Sequence, residues 1–308
     1  MKVSAYAPAS MGNVAAGFDV LGAAFAPVDG SLWGDIVEVE LADSPSFSCD
    51  GPFADRLPAD PADNLVLKVH AYFAEAWGKP LPPLKITLHK LLPVSSGLGS
   101  SSASAVAATV AFDAISQANL PRDVLLQIAA RAESDASGAV HLDNVAPCLL
   151  GGLQLCADGR AHRLPWPEEL QFAVASPRLE LATRQSRAVL PREIPLPLAI
   201  HHAANLAHLV HALHVHDLQG IRVCLRDLIA EPHRAGLVHG FRPAQAGALA
   251  AGAWGCSLSG AGPAVFAVAE PDRVAQVAEA LVAGFASVGV RAIAKVCVID
   301  NLGARVLP

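Results

Sequence analysis

Val3, Ala5 and Ala7 alternate with polar or aromatic neighbours, which predicts a strand at the start of the chain. The run 33-WGDIVEVEL-41 repeats the pattern, with Ile36, Val37 and Val39 set among charges, and predicts a second. Between them, Ser10 to Asp19 is rich in Gly, Asn and Asp and reads as a loop. Helical spacing follows: Asp63 is placed to cap a helix that carries Leu65, Val66, Val69, Tyr72 and Phe73 on one face. That helix runs to about Trp77, where Gly78 and Pro80 end it. Alternation returns in 83-PLKITLHKLLP-93, a strand that feeds a glycine-rich turn. From Ser100 the apolar positions Ala103, Val106, Ala107, Val110, Ala111, Ala114 and Ile115 are helical again. A further helix begins in 121-PRDVLLQIAARAE-133, with proline early.

The next segment, 134-SDASGAVHLDNVAPCLLGG-152, mixes polar residues and glycine ahead of an apolar run. It reads as less regular, the kind of stretch in which sites gather. Proline and charge cluster at 161-AHRLPWPEEL-170 and 191-PREIPLP-197, which places a domain boundary near residues 160–170 and predicts domains 1–165 and 166–308. Beyond it the pattern predicts a strand at 170–176, two helices over 198–230, a helix at 243–251, the glycine-rich stretch 254-WGCSLSGAGPAVFAVAE-270, a helix at 271–287 and a last strand at 291–299. Strands and helices alternate in both halves without an internal repeat, which fits an α+β or α/β protein. A chain of 308 residues exceeds one ordinary core, and this too predicts two domains.

Composition narrows the functional classes. Hydrophobic residues make up 53% and charged ones 16%, far from the signature of disorder. The net charge of −6, with no basic block, gives no attraction to nucleic acid. The first residues lack the apolar core of a secretory signal, and no apolar run reaches the roughly 18 residues of a membrane span. A cytoplasmic protein with no membrane partner is expected. The six cysteines form no C-x-x-C pair and read as small buried hydrophobes in a reducing compartment. His208, His211 and His214 lie three apart on a helix, but no carboxylate accompanies them at ligand spacing, so a helix face explains them better than a metal site.

The chemistry concentrates in 93-PVSSGLGSSSASAVAATVAF-112. A strand, then Gly97-Leu98-Gly99-Ser100-Ser101, then a helix would aim several N–H groups and the helix dipole at one spot, an anion site. Glycine permits close approach and positive φ, and serine hydroxyls suit phosphate oxygens or Mg²⁺. The letters match neither G-x-x-x-x-G-K-[ST] nor G-x-G-x-x-G, because no lysine follows and Ser102 stands where the third glycine belongs. Taken alone, the stretch reads equally as a phosphate cradle or a plain helix start.

The longer pattern P-x-x-x-G-L-G-S-S resembles the ATP-binding motif of the GHMP kinases, a family that phosphorylates small molecules. The stretch 7-APASMGNVAAGFDVLG-22 is similar to that family's first motif and 259-SGAGPAVF-266 to its third. Within the family, 141-HLDNVAPCLLGG-152, 187-RAVLP-191 and 231-EPHRAGLVHGF-241 resemble segments of the homoserine kinases. The likeness runs in order along nearly the whole chain. The first motif departs from the usual form at Met11, where serine is usual, and at Ala15, where glycine is usual.

The resemblance implies a two-domain α+β fold. Its N-terminal domain, like ribosomal protein S5, would carry the ATP loop in a left-handed β-α-β crossover, and its C-terminal domain would be ferredoxin-like. It implies transfer of the γ-phosphoryl of ATP, with Mg²⁺, to the hydroxyl of L-homoserine in threonine biosynthesis, by a chain that forms a homodimer as many relatives do. For the nucleotide it implies Asn64 near the adenine, where helix capping explains that residue equally well. It also implies the loop from Pro93 through Val94, Ser95, Ser96, Gly97, Leu98, Gly99, Ser100, Ser101 and Ser102 to Ala103, together with Gly260 and Gly262. Ser101 and Glu133 would hold Mg²⁺ and, the loop having no lysine, share charge neutralisation with backbone N–H groups. Asn13, Asp19, His141, Asn144, Arg187 and Arg234 would meet the acceptor, with Glu133, Asn144 and Arg187 catalytic. Asn144 takes the place where related kinases carry a basic aspartate. Asp143 is then structural, and the acceptor proton leaves late or to the phosphate itself. Two other readings stay open: a kinase for another small alcohol, and a ligand sensor without catalysis on the same fold.

Overall fold

The alternation at the start of the chain becomes β1 (Lys2–Pro8), but the expected loop after it holds a short strand, β2 (Ser10–Gly12), and leads into β3 (Leu21–Pro27). In β3 both faces are almost wholly buried, so its sequence LGAAFAP shows no alternation to read. β4 (Gly34–Leu41) and β5 (Ser46–Asp50) follow, then α1 (Leu65–Trp77). The cap of α1 is Asn64, whose side chain accepts the Val66 N–H at 3.0 Å, and not Asp63, which ends a 3-10 turn. Gly78, at φ 72°, closes the helix as expected.

β6 (Leu84–His89) delivers the chain into the glycine-rich turn and α2 (Ser100–Ser116). The irregular reading of residues 134–152 needs correction. α3 (Arg122–Ser137) extends into that segment and α4 (Leu142–Leu150) fills most of the rest. Pro147 inside α4 hid the helix from sequence, because proline removes a donor and disfavours helix interiors. Residues 138–140 of that segment lie outside those the structure describes.

The second half contains β7 (Leu153–Ala157), β8 (Arg160–Leu164), β9 (Gln171–Pro177), α5 (Thr183–Ala188), α6 (Leu196–Val215), α7 (Leu218–Cys224) and α8 (Ala230–Arg234). It ends with α9 (Phe241–Ala250), β10 (Gly255–Leu258), β11 (Val265–Ala269), α10 (Val274–Ala286), β12 (Ala292–Ile299) and β13 (Arg305–Val306). This computed structural model describes residues 1–58, 60–137 and 141–308.

Two sheets organise these elements. Five strands in the order β13-β1-β4-β6-β5 form the first, antiparallel except for the parallel pair of β5 and β6, which α1 connects. The second has the order β10-β11-β9-β12-β3-β7-β8, with β2 beside β3, and every pairing is antiparallel. Strand β12 joins the two halves of the chain: Cys297 pairs with Phe172 on one side and with Pro27 on the other. Helix α2 packs on β1 and β4 and against α1, α3 and α4, so nearly all of its surface is covered. Its alanines and serines permit that close approach, since larger side chains would hold the neighbouring layers apart.

A buried ion pair fixes where α2 begins. Lys90, one residue past β6, pairs through Nζ with Asp35 of β4 and also donates to the Ser100 carbonyl at 2.8 Å and to Ser104 Oγ at 3.0 Å. Asp35 in turn accepts the Leu91 and Leu92 N–H groups, both at 2.9 Å, and the Ser104 hydroxyl at 2.6 Å. Every lone pair and proton of the pair thus has a partner. Among the described residues no helix is long and apolar enough to cross a membrane, and all six cysteines are free. Lys90→Met leaves Asp35 buried without its countercharge and is expected to cost about 3–5 kcal/mol of unfolding free energy. Urea titration checks this, and adding Asp35→Asn should recover part of the loss.

Candidate active site

The glycine-rich turn borders a cleft of roughly 350 Å³ that gathers residues from both halves of the chain. Gly97 and Gly99 adopt φ of 80° and 63°. A Cβ on Gly97 would lie 2.5 Å from the Ser259 carbonyl oxygen, and one on Gly99 would strike Ser10 Oγ, so glycine is required at both. Gly99 is also the N-cap of α2 and has no side chain to satisfy the first-turn N–H groups. Those donors and the helix dipole remain available to an anion. Val94, Ser95, Ser96, Gly97, Gly99, Ser100, Ser101 and Ser102 face the cleft, as does Asn64. Pro93, Leu98 and Ala103 stand behind it: Leu98 and Ala103 are fully buried, and the Leu98 carbonyl accepts the Ser10 N–H at 3.1 Å.

Ser101 spends its hydroxyl on Glu133, donating to Oε1 at 2.8 Å, and caps nothing. Glu133 Oε2 is buried with no hydrogen-bond partner, and burial pushes the carboxyl pKa up. An orphaned carboxylate oxygen beside a hydroxyl, next to a phosphate-type loop, fits the hard-oxygen demand of Mg²⁺. Among the described residues no group of three or more His, Cys, Asp or Glu is placed to hold a metal. This includes the histidines of α6, of which His211 and His214 border a shallow groove on another face.

At the other end of the cleft, Arg187 of α5 grips Asp19 with two bonds, Nη2 to Oδ1 at 2.9 Å and Nη1 to Oδ2 at 3.3 Å. His141 Nδ1 lies 3.8 Å from the same carboxylate; burial and the nearby Arg187 lower its pKa, which keeps the ring neutral. His141 Nε2 and Arg187 Nε are buried without partners. Arg234 is buried: Nε donates to the Ser186 carbonyl at 3.2 Å, Nη1 donates to the Gly260 carbonyl at 3.0 Å, and the guanidinium lies over the Phe18 ring.

Asn13 is committed within the protein, its Nδ2 donating to the Gly260 carbonyl at 3.0 Å and its Oδ1 accepting the Asp19 N–H at 3.1 Å. It thereby aims Asp19. Asn144 accepts the Ser10 hydroxyl at 3.2 Å and sits beside Gly99, which brings it to the mouth of the phosphate loop. Asp143, also on the cleft wall, is 4% exposed, and burial, reinforced by the Asp19 charge, pushes its pKa up to about 7. Gly260 lines the cleft and Gly262 does not.

The family model for the GHMP kinases N terminal domain matches residues 64–152, and that for GHMP kinases C terminal matches residues 209–287. The crystal structure of homoserine kinase from Cytophaga hutchinsonii superposes with a TM-score of 0.92 at 34% identity, over 99% of this chain and 97% of that one. The chain belongs to the GHMP kinase family. Mevalonate kinase from L. major, in complex with R-mevalonate, shares the fold at 17% identity and a TM-score of 0.70, over 96% of each chain. Phosphomevalonate kinase from Streptococcus pneumoniae does so at 14% and 0.68, over 100% of this chain and 99% of that one. The architecture is the two-domain α+β fold of GHMP kinases.

Sequence reasoning missed several residues of this GHMP kinase site. The loop has no lysine of its own, but Lys90 reaches the cleft wall from the end of β6. The signal for it was a lysine at the end of an apolar strand, together with Asp35 in β4. Arg56 and Glu180 pair at the cleft's edge and carry no motif of their own, whereas Ser259, which underlies the loop, opens the third motif, in which sequence reasoning picks out only the glycines.

The raised pKa of Asp143 carries a sign. Between the ordinary carboxylate range and about pH 7 the folded protein keeps a proton that the unfolded chain releases, so stability falls as pH rises through that window. Thermal unfolding from pH 5 to 8.5 should show this decline, and Asp143→Asn should flatten it and be relatively more stable at the alkaline end.

Proposed function

We propose that this GHMP kinase transfers the γ-phosphoryl of ATP to the hydroxyl of L-homoserine, with residues 1–165 and 166–308 as its two domains. The carrying observation is the acceptor end of the cleft, where one carboxylate, Asp19, stands against two guanidinium groups, Arg187 and Arg234. That is the complement of a zwitterion: Asp19 suits an ammonium, and a guanidinium fork suits a carboxylate. Mevalonate-type acceptors offer nothing cationic to Asp19. Similarity to the Cytophaga enzyme over nearly the whole chain supports the same reading.

Phosphoryl transfer asks for alignment and charge stabilisation more than for covalent help. The first-turn N–H groups of α2 and the glycine loop orient the triphosphate. Ser101 and Glu133 would hold Mg²⁺, which when bound neutralises charge on the phosphate oxygens. Asn144, between the loop and the acceptor end, orients the acceptor hydroxyl, and the hydroxyl proton passes to the departing phosphoryl group. The product, O-phospho-L-homoserine, fits a step in threonine biosynthesis, carried out in the cytoplasm by a homodimer.

A second path for the proton rests on Asp143, a buried cleft carboxylate with a pKa of about 7, where a general base works well. On the first path, Asp143→Asn retains at least about a tenth of wild-type kcat; a loss beyond about a hundredfold with acceptor KM unchanged assigns the proton to Asp143.

A coupled ADP assay over L-homoserine, mevalonate and sugar alcohols tests the substrate: turnover with homoserine is expected, and turnover confined to an acceptor that is not an amino acid overturns the proposal. Glu133→Ala should lower kcat by about a hundredfold or more while ATP affinity changes only a few-fold. Unchanged turnover would refute the metal role.

A further inference from the structure

The third glycine-rich loop, residues 259–264, does not only border the cleft. Ser259 is fully buried and donates its hydroxyl to the Gly97 carbonyl at 2.6 Å. The Ala264 N–H reaches the Ser96 carbonyl at 2.8 Å, and the Gly260 N–H reaches the Gly12 carbonyl at 3.1 Å. One residue past Ser259, the Gly260 carbonyl takes the two acceptor-side donors, Asn13 Nδ2 and Arg234 Nη1, both at 3.0 Å.

Gly97 is the most mobile choice of residue at the most exacting point of the loop. Its peptide unit with Leu98 is planar, so the direction of its carbonyl sets the opposite direction of the next N–H. Gly97 itself, with no side chain and φ of 80°, tolerates a flip that would turn a carbonyl dipole into the phosphate cradle, and what opposes it is the negative φ of Leu98, the Leu98 N–H bond to Ser96 Oγ at 3.4 Å and the Ser259 hydroxyl. The Ser259 hydroxyl is a side-chain donor that holds this carbonyl on the buried side.

We infer that Ser259 is a positioning residue for the nucleotide: its hydroxyl keeps the Gly97 carbonyl out of the phosphate site and fastens the loop to the frame that carries Asn13 and Arg234. This rests on reading the cleft as the ATP site.

The test compares wild type with Ser259→Ala by isothermal titration with a non-hydrolysable ATP analogue, by KM for homoserine at saturating ATP, and by thermal unfolding. A lost hydrogen bond of about 1 kcal/mol corresponds to a roughly fivefold rise in the dissociation constant for the analogue. Homoserine KM should stay within about twofold of wild type, a split that general loosening of the fold would not produce. Equal analogue affinity in the two proteins overturns the inference, even if Ser259→Ala melts earlier. So does a parallel rise in both constants. Gly97→Ala, whose Cβ would lie 2.5 Å from the Ser259 carbonyl oxygen, disturbs the same joint from the loop side and stands in if Ser259→Ala does not fold. Wild type that binds no analogue would sink the kinase reading itself, whereas analogue bound equally by both proteins sinks only the role of Ser259.

Discussion

Backbone contact among three loops far apart in sequence is the constraint on which the site depends. Ser10 N–H meets the Leu98 carbonyl, Gly260 N–H meets the Gly12 carbonyl, and Ala264 N–H meets the Ser96 carbonyl. Such contact leaves no room for Cβ atoms. A side chain at Gly97 would meet the Ser259 carbonyl, and one at Gly12 would strike the Asp143 carboxylate. The glycines of the three motifs therefore do more than loosen turns. They let strands β2, β10 and β11 and the start of α2 converge until phosphate donors and acceptor groups share one cleft.

Charge within that cleft is divided by position. Lys90 beneath α2 is matched by Asp35, so the ion pair anchors the loop without adding net positive charge. On the proposed reading, attraction for phosphate falls to the uncapped N–H groups of α2 and to the Mg²⁺ that Ser101 and Glu133, with its unpartnered oxygen, would hold. At the acceptor end Asp19 and Arg187 satisfy each other, and a zwitterion that replaces each partner with its own opposite charge would leave both paired. This exchange limits the electrostatic cost of emptying the site, because neither group is left as a lone charge in a half-buried setting.

Much of this was legible in the sequence because the motifs are local. Gly97 to Ser101, Asn13 with Asp19, and His141 with Asn144 announce themselves within short windows, and the structure brings all of them to one cleft. Strands β4 and β6 were readable from alternation because burial alternates along them, and β1 because its small apolar residues alternate with Ser4 and Tyr6 even though both faces of its second half are buried. Strand β3 was not, because burial on both faces erases the period, and α4 was masked by Pro147. The roles of Lys90, Asp35 and Ser259 were not legible, for another reason. Their roles come from contacts between residues 10 to 162 positions apart, which no window of sequence displays.

On the proposed function, recognition of an amino-acid acceptor rests on the cleft reading both of its charges at once. Its most direct test is the ratio of kcat/KM for L-homoserine to that for 4-hydroxybutyrate, which keeps the hydroxyl and carboxylate but lacks the ammonium. Leaving Asp19 and its partly buried surroundings without a cation should cost about 2–4 kcal/mol, a ratio of roughly 30 to 1,000. A ratio near one would contradict the assignment of Asp19 and, with it, the reading of this cleft as an amino-acid kinase site.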